Sequence, residues 1–213
     1  MKYRLSHNPS KNLVWIWLTR DLNRLELRDV GIDAACGNML MAPYLNVGRY
    51  IGFDINESRI KEGTLNNPKL IGIVSSIEEI VNNQNIISKG DIVICMQTLG
   101  VNHLFDPNNL AQSIKNLMLL TKKNGDLIFN VRWPRYFSSR EIFNVRQNLE
   151  KSFLQVESKN YGSLENLKLS KKSLMSKVLI TLPLTLLLFC VPVFRKIPLY
   201  KKSSTYWYCK SKI

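Results

Sequence analysis

Arg28-Asp29-Val30-Gly31-Ile32-Asp33-Ala34, running into Ala35-Cys36-Gly37-Asn38-Met39, decides how the rest of this chain is read. The first seven residues have the length and apolar content of a short buried strand. The small residues after Ala34 form a turn, and Met39–Val47 is expected to be helical. A second strand, Tyr50-Ile51-Gly52-Phe53-Asp54-Ile55, ends in an acid 21 positions after Asp33. Upstream, Asn12–Leu27 places Leu13, Val14, Trp17, Leu18, Leu22, Leu25 and Leu27 at mostly helical spacing, and residues 1–11 are polar. Downstream, Asn56 caps an expected helix over Glu57–Leu65. Leu70–Val74 reads as a strand and Ser75–Asn83 as a short helix. Asp91–Met96 is an almost wholly apolar strand, Asn108–Thr121 an amphipathic helix, Lys122–Gly125 a turn and Asp126–Val131 a strand. Phe153–Glu157 and Thr205–Cys209 complete the expected strands.

Strands alternating with helices predict an α/β fold, with a doubly wound, mostly parallel sheet of seven strands. Ile92-Val93-Ile94-Cys95 is apolar throughout, as a strand covered on both faces should be. One domain is expected. A cofactor-binding core spans about 12–131, an acceptor side with an apolar basic insertion about 132–204, and a final edge strand 205–210.

The chain has 213 residues, 45% of them hydrophobic, enough for a sizeable core, so disorder throughout is excluded. Its four cysteines form no C-x-x-C pair and read as reduced core thiols; no metal site is expected. No apolar stretch follows Lys2 and Arg4, so no signal peptide is expected and the location is taken as cytoplasmic. The net charge of +14 is uneven. Residues 165–213 hold ten Lys and Arg against one acid, Glu165, beside a very apolar run. That pairing suits an anionic membrane surface at least as well as RNA.

In open parallel sheets, ligands bind beyond the carboxyl ends of the strands, near the point where strand order reverses. The turn after Asp33 lets a ligand approach the backbone, and a carboxylate at Asp54 can accept both hydroxyls of a ribose. A dehydrogenase would share both features, but its fingerprint needs three glycines and this turn has one. Asp54 alone could also be a helix-capping acid.

Taken together, these segments resemble the class I S-adenosylmethionine (SAM)-dependent methyltransferases. Asp33–Asn38 resembles their first motif, and Tyr50–Asp54 the second. Ser75-Ser76-Ile77-Glu78-Glu79-Ile80 is similar to the third, Asp91–Leu99 to the fourth, and Lys122–Ile128 to the turn and strand that follow. About half of the chain is covered. The resemblance implies methyl transfer with SAM as cofactor, bound by Asp33, Ala35, Gly37, Asp54, Ile55, Ser76, Ile77, Met96 and Gln97. The chain departs from the pattern at Ala35 and Met39, where glycines are usual, and at Ser76, where an acid is usual. Ala35 is tolerable there if its backbone angle is not left-handed, and Met39 is expected to sit already on the helix.

The acceptor side is read from position. His103 follows the fourth strand and is a candidate general base; a structural histidine near the Asn108 helix is the other reading. Arg132, Trp133 and Tyr136 follow the fifth strand and could bind the acceptor; a solvated loop with one packed Trp is the alternative. Residues 178–194 carry no charge and would make a helix of ~26 Å, short of a ~30 Å hydrocarbon core, with Pro183 and Pro192 as kinks. The resemblance also implies that the final strand returns to the sheet, antiparallel at its edge. The expectation is therefore an insertion that dips into the interface of an anionic membrane or lids the site. A buried hairpin or a dimer interface is the alternative. The expected acceptor is a small, lipid-linked or amphipathic molecule with an O or N nucleophile. An RNA methyltransferase and a degenerate scaffold at a membrane surface are the rival functions.

Overall fold

The computed structural model describes residues 9–82, 89–100, 106–133, 139–162, 179, 182–190 and 202–213. Helix α1 (Pro9–Leu22) leads into β1 (Arg28–Ala34), β2 (Val47–Asp54), α2 (Glu57–Asn66) and β3 (Ile71–Val74). Then come β4 (Gly90–Leu99), α3 (Pro107–Leu120), β5 (Thr121–Arg132), α4 (Ser139–Ser152) and β6 (Phe153–Gly162). Helix α5 (Leu182–Cys190) and β7 (Lys202–Lys212) follow. The strands form one sheet in the order β3-β2-β1-β4-β5-β7-β6. β7 is antiparallel to both of its neighbours, and the other pairings are parallel. The expected α/β architecture is therefore observed.

Two apolar layers cover the sheet. On one face, Leu13, Val14, Trp17 and Leu18 of α1 pack with Ile60 of α2 over Tyr50, Ile94, Ile128 and Tyr206. On the other, Leu110, Ile114 and Leu117 of α3 and Leu149 of α4 cover Ile32, Val93, Phe129 and Trp207. Alternate residues of one strand feed opposite layers, as the period of two requires.

Several expectations are corrected. Met39–Val47 is not an α-helix: successive turns lead to a single 3-10 turn over Ala42–Tyr44, and β2 already starts at Val47. Met39 has φ +58°, which an α-helix cannot contain, and Pro43 has no N–H to give. Over 75–82 the helix expected for Ser75–Asn83 is likewise a turn with a 3-10 piece at Ile80–Asn82, and Asn83 lies outside the described residues. Lys122–Gly125 falls within β5, which opens irregularly, with Asn124 at φ +62°. β7 is antiparallel but not at the edge. Tyr206 and Tyr208 pack into one layer and Trp207 and Cys209 into the other, so this strand needs cover on both sides. β6, with Gln155, Glu157 and Lys159, takes the edge instead. Helix α4 is not among the expected elements, although Ile142, Val145 and Leu149 have helical spacing. Cys190 is exposed rather than a core thiol, and Cys36 is half-buried.

Candidate cofactor site

The order β3-β2-β1-β4 sets the carboxyl ends of four strands side by side, about 14 Å across at sheet spacing. Every residue predicted to hold the cofactor lies at one of those ends. Asp33 lies at the end of β1 with Ala35 and Gly37 after it, Asp54 closes β2 with Ile55 after it, Ser76 and Ile77 follow β3, and Met96 and Gln97 lie in the last part of β4. Strand order reverses between β1 and β4, the place where such sheets bind ligands.

The turn after β1 is tied to the end of β2. The Cys36 amide donates to the Phe53 carbonyl at 3.0 Å. The Gly37 amide donates to Asp54 Oδ2 at 2.9 Å, and the Asn56 amide to Asp54 Oδ1 at 2.9 Å. Each carboxylate oxygen keeps capacity for a further donor. Asp54 thus sits in a fixed orientation at the edge, beside Ile55, whose side chain is 63% exposed.

Backbone angles in this turn alternate. Ala35, Gly37 and Met39 have φ of +57°, +56° and +58°. The condition for an unstrained Ala35, a backbone outside the left-handed region, is therefore not met, and the expected helical Met39 is overturned. Two side-chain-bearing residues hold angles that glycine adopts freely, at about 1 kcal/mol or more each. Glycines elsewhere make room for the Met39 and Cys36 side chains. A Cβ on Gly63 would come within 3.0 Å of Met39 Cγ, and one on Gly72 within 2.6 Å of Met39 Cε. A Cβ on Gly52 would come within 2.7 Å of Cys36 Sγ.

Asp33 is buried, and the Tyr50 hydroxyl donates to its Oδ2 at 2.6 Å. Burial pushes its carboxyl up to about 7, against the pull of the Tyr50 hydrogen bond, and nearby Asp54 adds to the rise. The same burial and the two carboxylates raise the Cys36 thiol well above its usual range. Cys36 is therefore no thiolate nucleophile.

After β3, Ser76 Oγ accepts from the Glu79 amide at 3.2 Å, and Ile77 is buried in the core. Asn116 of α3 pins this turn from below, donating to the carbonyls of Ile77 at 2.9 Å and Glu78 at 2.8 Å. At β4, Gln97 has φ +66° and its amide donates to Asn130 Oδ1 at 2.7 Å, while Asn130 Nδ2 donates to the Tyr161 hydroxyl at 2.9 Å. Met96 is half-buried beside it.

Among the acceptor-side residues, Arg132 is half-buried at the end of β5. Trp133 is 6% exposed, and its indole N–H donates to Thr205 Oγ1 at 2.8 Å. It is buried and tied to β7. His103 and Tyr136 lie outside the described residues. Sequence reasoning missed Tyr50, Asn116 and Asn130. A polar residue inside the apolar run Leu127–Val131 was the signal for Asn130. A groove of about 630 Å³ between α3 and α4, lined by Asn108, Gln112, Lys115 and Lys151 among others, includes none of the predicted cofactor residues.

No family model and no curated protein matches the chain in sequence. Solved structures match it in shape. A protein assigned as an rRNA methylase, from Clostridium thermocellum, superposes with a TM-score of 0.57 at 14% identity, over 94% of this chain and 96% of that one. The plantazolicin methyltransferase BamL, solved with a triazolic desmethylPZN analog and SAH, gives 0.55 at 14% identity, over 96% and 85%. The N-methyltransferase NodS of Bradyrhizobium japonicum WM9 gives 0.54 at 11% identity, over 94% and 98%. With strand order, turn and acids already in place, the chain has the class I methyltransferase fold.

Proposed function

We propose that this chain is a SAM-dependent methyltransferase acting on an oxygen or nitrogen nucleophile of a small, amphipathic acceptor. The observation that supports it most is the joining of the left-handed turn 35–39 to Asp54 at the switch point of the sheet. The residues present fit the cofactor. Asp54 retains acceptor capacity for ribose hydroxyls, and exposed Ile55 offers apolar surface to a purine ring. Ser76 gives a hydroxyl where a carboxylate would bind an adenine amino group more strongly. Asp33 lies on the same edge, ready to become charged beside a cationic group. When bound, SAM supplies an electrophilic methyl group on a sulfonium; the protein's task is to align the acceptor with it.

His103 follows Gly100 by three positions, beyond the end of β4. In this reading its imidazole takes the proton of the acceptor as the bond to the methyl carbon forms, and Arg132 and Tyr136 orient the acceptor.

The test is calorimetric titration of SAM and its demethylated product into wild type and Asp54→Ala. Loss of two charge-assisted hydrogen bonds predicts at least about 100-fold weaker binding in the variant. His103→Ala should bind SAM normally and lose turnover. A folded wild type that binds neither ligand would replace the enzyme reading with that of a scaffold, in which the strained turn at Ala35 and Met39 is a relic.

A further inference from the structure

Helix α5 is built inside out. Its polar residue in the first turn and a half, Thr185, is fully buried and accepts from Asn12 Nδ2 of α1 at 3.3 Å. Leu184 is half-buried beside it. The opposite arc is exposed and wholly apolar: Leu182, Pro183, Leu186, Leu187 and Cys190. Leu186 is 49% and Leu187 40% exposed, and Leu179, just before the helix, is 61% exposed. A helix on a protein in water presents the reverse arrangement.

Two further observations say what covers this face. The segment around α5 is cationic at both ends in sequence: Lys168, Lys171, Lys172 and Lys177 precede it, and Arg195, Lys196, Lys201 and Lys202 follow, with no acid between Lys168 and Lys202. An apolar arc between positive flanks matches the apolar interior and anionic headgroups of a lipid surface, whereas a protein partner would need a separate acidic ring. The length agrees. Nine helical residues extend ~13 Å, less than half of a hydrocarbon core, and no described helix is long and apolar enough to cross a membrane. Pro183 occupies the second helical position, where it starts the helix rather than kinking it.

We infer that α5 seats the protein in the plane of an anionic lipid bilayer, outer leucines among the acyl chains. Helix α1 ends at Leu22, just before the chain enters β1, so its Asn12 end lies toward the carboxyl edge of the sheet. Docked by Thr185 to that end, α5 brings the candidate site near the lipid surface. This last step deepens the methyltransferase reading, because an amphipathic acceptor would then enter from the bilayer; the docking itself does not depend on it.

The experiment is sedimentation of the full chain with vesicles of phosphatidylcholine, with and without phosphatidylglycerol, for wild type and the double variant Leu186→Gln/Leu187→Gln. Both leucines are exposed, so the variant should keep its unfolding midpoint. Wild type should partition to the anionic vesicles, weaken as salt is raised, and bind at least ~10-fold more tightly than the variant. Equal partition of the two proteins, equal binding to neutral vesicles, or no binding by folded wild type would overturn the proposal. So would a wild-type dimer that the variant dissolves, since a second copy would then be the cover. SAM titration of the same preparations separates the two ideas: lost vesicle binding with intact SAM binding sinks only the docking, and the converse only the enzyme reading.

Discussion

Ala35 and Met39 hold left-handed backbone angles that a side chain makes costly. Ala35→Gly relieves that strain but lets the unfolded chain gain entropy, worth about 0.4–1 kcal/mol. The expected outcome is a variant between unchanged and about 1 kcal/mol more stable in urea denaturation. Met39→Ala should instead lose about 2–5 kcal/mol, because the side chain is buried against Gly63 and Gly72. Asp33 predicts a pH effect. Its folded value of about 7 stands above the ordinary 3.8. Between those values the folded state holds more protons than the unfolded one, so stability falls as pH rises through the window, by on the order of 4 kcal/mol, and is flat above it. Asp33→Asn should remove that slope and be the more stable protein above about pH 7, as a denaturation series across the window would check. That Asp33, Gly37 and Asp54 lie at the ends of β1 and β2 was legible because the apolar runs before them mark where those strands stop. The angle at Ala35 was not, since a residue's name constrains φ only for glycine and proline.

At the level of elements, two contacts hold the edge in shape. The end of β4 passes so close to β5 that a Cβ on Gly100, which has φ +76°, would lie 1.7 Å from the Arg132 carbonyl oxygen. Gly100→Ala is expected to cost at least ~3 kcal/mol or to prevent folding, read from the unfolding midpoint. Asn116 is the hinge pin of the turn after β3. Asn116→Ala should destabilise by about 1–3 kcal/mol and weaken SAM binding by loosening Ser76 and Ile77; unchanged affinity at reduced stability would confine it to a structural role. β1, β2, α2 and α3 were legible to within a few residues because period, cap and apolar run agreed at each. The Asn56 side chain does accept from the Arg59 amide at 3.2 Å. The helix expected over Met39–Val47 failed for the opposite reason: apolar content suggested one, while backbone angle and Pro43 opposed it.

For the whole molecule, the parallel half of the sheet could be inferred from strand–helix alternation, but the place of β7 could not. Its aromatic content marks a strand without saying which neighbours it takes, and those neighbours are far away in sequence. β6 and β7 pair along nearly their full length, from Phe153↔Lys212 to Gly162↔Lys202. Their amides should exchange with solvent as one cooperative unit, more readily than those of β1 and β4, in native-state hydrogen exchange. The order β5-β7-β6 also sets a timetable for synthesis. β6 leaves the ribosome before the strand that must lie between it and β5, so it has no docking place until β7 is made. Meanwhile the β5 edge stands open, and neighbouring nascent chains can add to it. Slow translation across residues 163–201 would lengthen that exposure, so the yield of soluble protein should depend on chaperone supply more than the stability of the finished fold suggests.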